Sequence, residues 1–148
     1  MEAKTNKIAI ACDHAGFQLK EQVKMYLNNM GYEVEDFGTN SEASVDYPDF
    51  VHPLANFIEQ NQQLKGILIC GSGIGVSISA NRHKLVRAAL CWNEEVAKLS
   101  RMHNNANVIC LPARFISKGE AEKMIDTFLN TSFEGGRHEN RVGKIEIK

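Results

Sequence analysis

The sequence predicts an α/β fold in which a five-stranded parallel sheet lies between two layers of helices. Five short apolar segments of strand type alternate along the chain with segments whose apolar residues recur at helical spacing. Alternation of this kind builds a parallel sheet covered by helices. The central segment, residues 66–70, is apolar on both faces, as a strand buried on both sides must be.

The first predicted strand spans residues 7–12 and ends at the polar turn of residues 13–16. The helix after this turn has apolar side chains at helical spacing, and Gly31 is typical of a residue that ends a helix. Its apolar positions are Leu19, Val23, Tyr26, Leu27 and Met30. Residues 32–37 alternate between polar and apolar side chains, which favours a second strand at an edge of the sheet.

A polar loop over residues 38–46 leads to the second helix. This helix begins near Pro48 or Pro53, because proline suits the first helical turn, and it runs to about residue 62. After the central strand and a glycine loop, residues 76–83 form a short third helix. Residues 86–91 then form the fourth predicted strand.

Asn93 is the expected N-cap of the next helix, whose first turn carries two glutamates that suit the positive end of the helix dipole. Residues 107–111 form the fifth predicted strand. Ser117 and Glu120 have the spacing of a capping box, so they open a last helix that runs to about residue 130.

Composition indicates one domain over residues 1–148, with a polar lead at 1–6 and a C-terminal tail at 133–148. The 43% hydrophobic content and the net charge of −1 argue against disorder and against a surface for nucleic acid. No apolar run approaches the roughly 20 residues that span a bilayer, and the lead lacks the apolar core of a secretion signal. We therefore expect a cytoplasmic protein with no nucleic-acid or membrane partner.

Polar side chains follow three of the predicted strands at their carboxyl ends. Asp13 and His14 follow the first strand, Cys70 closes the third, and Arg114 follows the fifth. Right-handed crossovers place all these strand ends at one edge of the sheet, and ligands of open α/β sheets bind outside that edge. The sequence therefore predicts a binding site there.

Cys70 stands directly before a loop with three glycines in five positions. The loop amides and the adjoining helix can stabilise a thiolate, which could act as a nucleophile or a general base. The same amides can stabilise an oxyanion beside it. The other interpretation is a packed cysteine before a tight turn. Cys12, Cys91 and Cys110 are expected to be buried free thiols.

Three other kinds of site are disfavoured by spacing. Val76 replaces the last glycine of the G-x-G-x-x-G pattern, which argues against a dinucleotide site. No arginine precedes Arg82 after the cysteine, whereas a cysteine phosphatase needs one to clamp the phosphoryl oxygens. The four cysteines and five histidines show no paired metal-ligand spacing, so no metal is expected. Acid–base chemistry on a small phosphorylated molecule is what the pattern favours.

Two further groups have both a structural and a functional interpretation. His103 and Asn104 close the fourth helix, where a histidine can be a simple cap or a proton donor to a ring or carbonyl oxygen. Arg137 and Arg141, with His138, can form a solvated basic tail or can hold a phosphate dianion through charge-assisted hydrogen bonds.

At these residues the chain resembles the type B ribose-5-phosphate isomerases, in the sugar-phosphate isomerase family that includes galactose-6-phosphate isomerase subunits. The matching segments span nearly the whole chain and are specific as a set. They are Asp13-His14-Ala15-Gly16-Phe17, Asp46-Tyr47-Pro48, Cys70-Gly71-Ser72-Gly73-Ile74-Gly75, Ser100-Arg101-Met102-His103-Asn104 and Gly135-Gly136-Arg137-His138-Glu139-Asn140-Arg141-Val142.

The resemblance implies a Rossmann-like α/β/α fold and a homodimer, or a dimer of dimers, with active sites at the subunit interface. It implies interconversion of ribose 5-phosphate and ribulose 5-phosphate in the pentose phosphate pathway through an enediolate, without a cofactor or a metal. Cys70 resembles the base that moves a proton between C2 and C1, Ser72 would help to orient it, and His103 resembles the acid that opens the sugar ring.

The resemblance also assigns binding roles. The loop residues that would hold the enediolate oxygens through their amides are Gly71, Ser72, Gly73, Ile74 and Gly75. Asp13 and Asn104 would hold sugar hydroxyls, and Tyr47 would form a wall of the site. The residues similar to the substrate and phosphate ligands are His14, Arg114, Arg137 and Arg141, some of them from the partner subunit. One branch of the family uses a glutamate at the position of Val76, so this chain matches the cysteine branch.

Two alternatives stay open from the sequence. The pocket depth that separates a pentose from a hexose is not readable, so an isomerase of allose or galactose 6-phosphate is possible. A non-catalytic sensor of sugar phosphates or nucleotides would also use the glycine loop and the arginines, which need only bind.

Overall fold

The computed structural model describes residues 6–147 and confirms the five-stranded parallel sheet. The strands are β1 (Lys7–Cys12), β2 (Glu33–Asp36), β3 (Lys65–Cys70), β4 (Ala88–Leu90) and β5 (Val108–Pro112). Their spatial order is β2-β1-β3-β5-β4, so β2 lies at an edge as predicted. Residues 1–5 of the polar lead and Lys148 of the tail lie outside the described residues.

Six helices connect and cover the strands. They are α1 (Phe17–Asn29), α2 (Pro48–Gln60), α3 (Ile74–Ala80), α4 (Glu94–Asn104), α5 (Lys118–Asn130) and α6 (Arg137–Gly143), with a short 3₁₀ turn, His14–Gly16, before α1. Among the helices of residues 6–147, none has the length and apolar character to cross a membrane.

The sheet separates two apolar cores, which makes the fold a three-layer sandwich. Side chains of α1, α4 and α5 pack on one face together with Ile8, Ile10 and Ile109 of the strands. Side chains of α2 and α3 pack on the other face with Leu68 and Cys110. Since strand residues alternate between the two faces, a strand apolar at every position serves both cores at once.

The predicted caps are confirmed. The Asn93 side chain accepts a hydrogen bond from the Val96 amide at 2.8 Å. Ser117 and Glu120 form the reciprocal capping box, and Pro48 rather than Pro53 occupies the first turn of α2.

Several predicted boundaries need correction. β4 has only three residues, Ala88–Leu90, where residues 86–91 were expected. α3 begins at Ile74 rather than at 76, because Gly73 with its φ of 74° ends the loop and lets the helix start at once. The tail contains a helix, α6, that no sequence signal predicted.

The course of α4 decides where its last residues lie. α4 starts after the carboxyl end of β4 and finishes just before the amino end of β5, so it runs back across the sheet. Its eleven residues span roughly 16 Å, about the length of a strand of the sheet. His103 and Asn104 therefore lie at the amino edge, opposite the edge at which Cys70 stands.

Candidate active site

The sulfur of Cys70 is held by the glycine loop at the carboxyl end of β3. The Gly73 amide donates a hydrogen bond to Cys70 Sγ at 3.1 Å, and the Ile74 amide donates to Ser72 Oγ at 3.2 Å. The Cys70 residue is only 5% exposed. An N–H group aimed at the sulfur stabilises negative charge on it, because a hydrogen bond to an ionised acceptor is stronger than one to a neutral acceptor.

Two large side chains close on the loop where glycine leaves room for them. A Cβ atom on Gly71 would lie 2.9 Å from the guanidinium carbon of Arg114, and one on Gly75 would lie 2.6 Å from the Tyr47 ring. The Arg114 amide also donates to the carbonyl of Gly71 at 3.0 Å. Any side chain at these two glycines would displace Arg114 or Tyr47. Glycine at both positions therefore allows these two side chains to pack against the loop.

Asp13 and His14 complete this edge of the sheet. Cys12 is in register with Ile69, so Asp13 lies beside Cys70 at the ends of neighbouring strands. Asp13 is 8% exposed, and its carboxylate accepts a hydrogen bond from the Gly16 amide at 3.1 Å. His14 Nδ1 accepts one from the Val45 amide at 3.2 Å, which ties the loop before Tyr47 to the site.

These residues form what we call the Cys70 half-site. Its members are Asp13, His14, Tyr47, Cys70, Gly71, Ser72, Gly73, Ile74, Gly75 and Arg114. The structure brings them together at the carboxyl edge of the sheet, as the order of the strands predicts.

The other three cysteines are buried, as expected. Burial raises the pKa of the Cys12 thiol to about 12 and that of the Cys91 thiol to about 11. Burial also raises the pKa of Cys110, which is fully buried in the core beneath α2 and α3. These thiols stay protonated at neutral pH, so they are packing groups and not candidate nucleophiles.

His103, Asn104, Arg137 and Arg141 form a second group, the His103 half-site, at the amino edge. The structure does not place this group beside Cys70, because α4 carries His103 across the sheet. Arg137 and Arg141 are exposed on the short helix α6, and α6 contacts α4. The predicted catalytic residues of one chain therefore lie in two separate places.

A buried arginine fixes the end of α4 against the tail. Arg101 Nη1 donates to the carbonyl of Ala106 at 2.6 Å, and its Nε donates to the carbonyl of Thr131 at 3.0 Å. The Glu134 amide donates to the carbonyl of Met102 at 3.0 Å. These bonds hold the tail against the turn that carries His103.

The ring of His138 lies on the ring of His103, a contact that the sequence did not predict. The ring centroids are 4.2 Å apart with an interplanar angle of 16°. Glu134 oxygens lie 4.0 Å from Nε2 of each histidine. The sequence grouped His138 with the two arginines, whereas the structure buries it against His103. The Glu134-x-x-x-His138 spacing was the local signal that could have drawn attention to this cluster.

The three side chains His103, Glu134 and His138 are also the only group of metal-ligand type that residues 6–147 bring together, with donor atoms within 4.8 Å of one another. The nearly parallel rings argue against a built metal site. An ion in the plane of one stacked ring lies outside the plane of the other, whereas both imidazole lone pairs must point at a shared metal.

Comparisons with known proteins agree along almost the entire chain. The model of a family described as Ribose/Galactose Isomerase matches residues 8–145. The ribose-5-phosphate isomerase B of Escherichia coli strain K12 is 41% identical over 139 residues, which cover 94% of this chain and 93% of that protein.

Solved structures of similar proteins share the fold closely. A crystal structure of a ribose 5-phosphate isomerase from Thermotoga maritima is 54% identical, with a TM-score of 0.93 and coverage of 96% of this chain and 98% of that one. The ribose-5-phosphate isomerase B of Mycoplasma genitalium, solved with bound ribulose-5-phosphate, is 45% identical, with a TM-score of 0.91 and coverage of 94% and 93%.

Proposed function

The chain belongs to the ribose/galactose isomerase family, and we propose that it interconverts ribose 5-phosphate and ribulose 5-phosphate. The observation that carries the proposal is the Cys70 thiol at the end of the central strand, bonded by the Gly73 amide within the glycine loop. Relatives and solved structures named for this activity match nearly the full chain, and one such structure holds ribulose-5-phosphate.

In the proposed reaction Cys70 acts as a base on the open-chain sugar. The C2–H bond breaks, its proton passes to the sulfur, and the electron pair forms the double bond of an enediolate. The proton then returns to C1, while the hydroxyl proton of O2 moves to O1, so the aldehyde becomes a ketone without gain or loss of atoms. Amides of the loop stabilise the oxyanion, and positioned acid–base groups typically contribute about 10² to 10⁴ in rate.

Ring opening is the second task, and we assign it to His103. In the furanose form of ribose 5-phosphate the C1–O4 bond breaks as the ring oxygen O4 takes a proton and the O1 hydroxyl gives its proton to water, which frees the aldehyde. His103 is partly exposed at the end of α4 and can present its imidazole to a ligand. Arg137 and Arg141 nearby would bind the phosphate dianion, which orients C1 and C2 from a distance.

Two copies of the chain are needed to unite these tasks, so we propose a homodimer with shared active sites. The two half-sites lie at opposite edges of a sheet whose strand β3 alone is roughly 17 Å long. One sugar phosphate cannot touch both edges of the same chain. In an isologous dimer the Cys70 half-site of one copy faces the His103 half-site of the other, twice over.

Exposed apolar side chains near the Cys70 half-site support the proposal that a second copy of the chain binds at this surface. Ile74 and Ile78 lie one turn apart on α3 and are 51% and 62% exposed. Trp92 follows β4 and Phe115 follows β5, at 56% and 74% exposed. Such side chains around a site that is incomplete within one chain are typical of an interface.

The proposed reaction belongs to the pentose phosphate pathway, and we propose that it takes place in the cytoplasm. A phosphorylated six-carbon aldose is a second candidate substrate, because the matching family also includes galactose isomerases. The chemistry at C1 and C2 would be unchanged.

The deciding experiment incubates the purified chain with ribose 5-phosphate, allose 6-phosphate and galactose 6-phosphate and measures ketose formation. We expect the highest kcat/KM with ribose 5-phosphate. Cys70→Ala should lose about 10² to 10⁴ in kcat with a modest change in KM, because the base acts on bound substrate. Cys110→Ala is the matched thiol control. Normal turnover by Cys70→Ala would remove the assigned base, and no turnover of any sugar by the unmodified chain would refute the function.

A further inference from the structure

His138 has an environment that the roles assigned so far leave unexplained. The residue is 5% exposed, and its Nε2 atom is enclosed without a hydrogen-bond partner among residues 6–147. Buried polar atoms almost always have partners, so an unpaired one requires an explanation. Its ring is stacked on the proposed acid, His103.

Protonation of both stacked histidines at once is electrostatically unfavourable. Two imidazolium rings with centroids 4.2 Å apart repel one another. Burial, followed by the nearby charges of His103, Arg137 and Arg141, lowers the pKa of His138, while Glu134 opposes them. His138 is therefore the neutral member of the pair.

Of the contacts described for His103, stacking on His138 is the one that fixes the orientation of its ring. Glu134 stands 4.0 Å from His103 Nε2, beyond hydrogen-bonding distance, so it does not fix the orientation of the His103 ring. The His103 side chain is 37% exposed. A flat, buried ring on one face is what restricts the rotation of a partly exposed imidazole.

We propose that His138 is a positioning residue for ring opening: its neutral ring holds the imidazole of His103 in the orientation that directs the proton to the ring oxygen of the sugar. The inference rests on the proposed function, since it assigns a step of that reaction. His138 transfers no proton in this scheme, and Cys70 chemistry on an open-chain sugar does not depend on it.

Two reactions of the same protein separate these roles. Ribulose 5-phosphate is an open chain, because its C5 oxygen carries the phosphate and cannot close a five-membered ring onto C2. Exchange of its C1 proton in D₂O, followed by NMR, therefore needs Cys70 and the phosphate ligands but no ring opening. Turnover of ribose 5-phosphate needs ring opening by His103 as well.

For His138→Ala we expect turnover of ribose 5-phosphate to fall roughly 10-fold to 100-fold, while C1 exchange stays within about twofold. His138→Phe keeps a flat ring without titratable nitrogens, so it should restore turnover to within about fivefold of the unmodified chain. If the alanine variant fails to fold, His138→Gln replaces it in the comparison with phenylalanine.

Three results would overturn the inference. Unchanged turnover in His138→Ala would mean that His103 needs no support. Equal loss of turnover and C1 exchange would assign His138 a general structural role. A phenylalanine variant as slow as the alanine variant would exclude stacking as the means of positioning. An unmodified chain that does not convert ribose 5-phosphate would instead refute the proposed function itself.

Discussion

Lys20 Nζ lies 2.6 Å from Asp36 Oδ2 and 2.7 Å from Asp36 Oδ1, and the Lys20 side chain is fully buried. Asp36 also accepts a hydrogen bond from the Gly38 amide at 2.8 Å. The Gly38 carbonyl in turn accepts one from the Cys12 amide at 2.7 Å, one residue before Asp13. The buried pair thus supports the strand end on which the Cys70 half-site stands.

Asp36→Asn should lower the free energy of unfolding by about 3 kcal/mol, because it leaves the buried Lys20 ammonium with only the half-exposed Glu21 carboxylate, 3.5 Å away, as a counter-charge. Urea unfolding followed by circular dichroism measures this. Glu35→Gln, on the same strand but exposed toward Lys7 at 3.9 Å, is the control and should change stability by less than about 1 kcal/mol. Equal losses in the two variants would contradict the importance of the pair.

The same pair predicts how stability depends on pH. Burial alone would raise the pKa of Asp36, but hydrogen bonds from Lys20, Lys24 and the Gly38 amide outweigh it and hold that pKa below the usual 3.8. A carboxylate with a lowered folded pKa contributes stability above its unfolded pKa and loses it as pH falls through the folded value. The difference in the free energy of unfolding between the unmodified chain and Asp36→Asn should be largest at pH 6. It should shrink below pH 4, roughly where carboxylates titrate. Unfolding curves at pH 6, 4 and 3 test this, and a constant difference would argue against it.

The thiols should differ in reactivity. With pKa values of about 12 and 11, Cys12 and Cys91 stay protonated at pH 8, and Cys110 is fully buried. Iodoacetamide labelling of the native chain at pH 8, mapped by mass spectrometry, should modify Cys70 alone, with loss of activity in proportion. In urea all four should react. Faster labelling of Cys91 than of Cys70 in the native protein would contradict this prediction.

Mixing two inactive variants tests the shared site. If Cys70 of one copy works with His103 of its partner, a mixed dimer of Cys70→Ala and His103→Ala chains contains one intact site. Random exchange after mild denaturation and refolding should then restore about a quarter of the unmodified activity, since half of the dimers are mixed and each has one of two sites. Each variant refolded alone is the control. Persistent inactivity of the mixture would place both residues in one chain's own site.

The tail arginines should act on binding more than on chemistry. Arg137→Ala and Arg141→Ala should each raise the KM for ribose 5-phosphate about 10-fold to 100-fold, because a charge-assisted hydrogen bond contributes roughly 1.5–3 kcal/mol. Lys144→Ala, just beyond the same helix, is the charge-matched control. Steady-state kinetics separates KM from kcat, and KM values equal to that of the control would exclude these residues as the phosphate ligands.

Local signals predicted the fold well because each strand and cap is encoded within a few residues. The run that ends at Cys70 and the pair Ser117 and Glu120 needed only their immediate neighbours to be recognised. The buried Lys20 was not predictable in the same way, since its partner Asp36 lies sixteen residues on, and a lysine beside a helical apolar face is ordinarily solvated.

The sequence named candidate site residues, but it did not predict how they are arranged. The resemblance named Cys70 and His103 together, and only the course of α4 shows them at opposite edges of one chain. The stack of His103 on His138 joins residues thirty-five positions apart through a helix, α6, that begins after Gly135 and Gly136 with positive φ angles. Two consecutive glycines predict a break in regular structure, but they do not indicate that a helix begins directly after them.

The length of α4 has a consequence for the behaviour of the protein in solution. Because that helix places His103 one full sheet away from Cys70, a lone chain in the proposed arrangement has no complete site. Specific activity should therefore fall on dilution through the dissociation constant of the dimer and recover on concentration. Catalysis in this protein is then second order in chain concentration at high dilution, so the amount of protein sets not only how many sites exist but whether any exist.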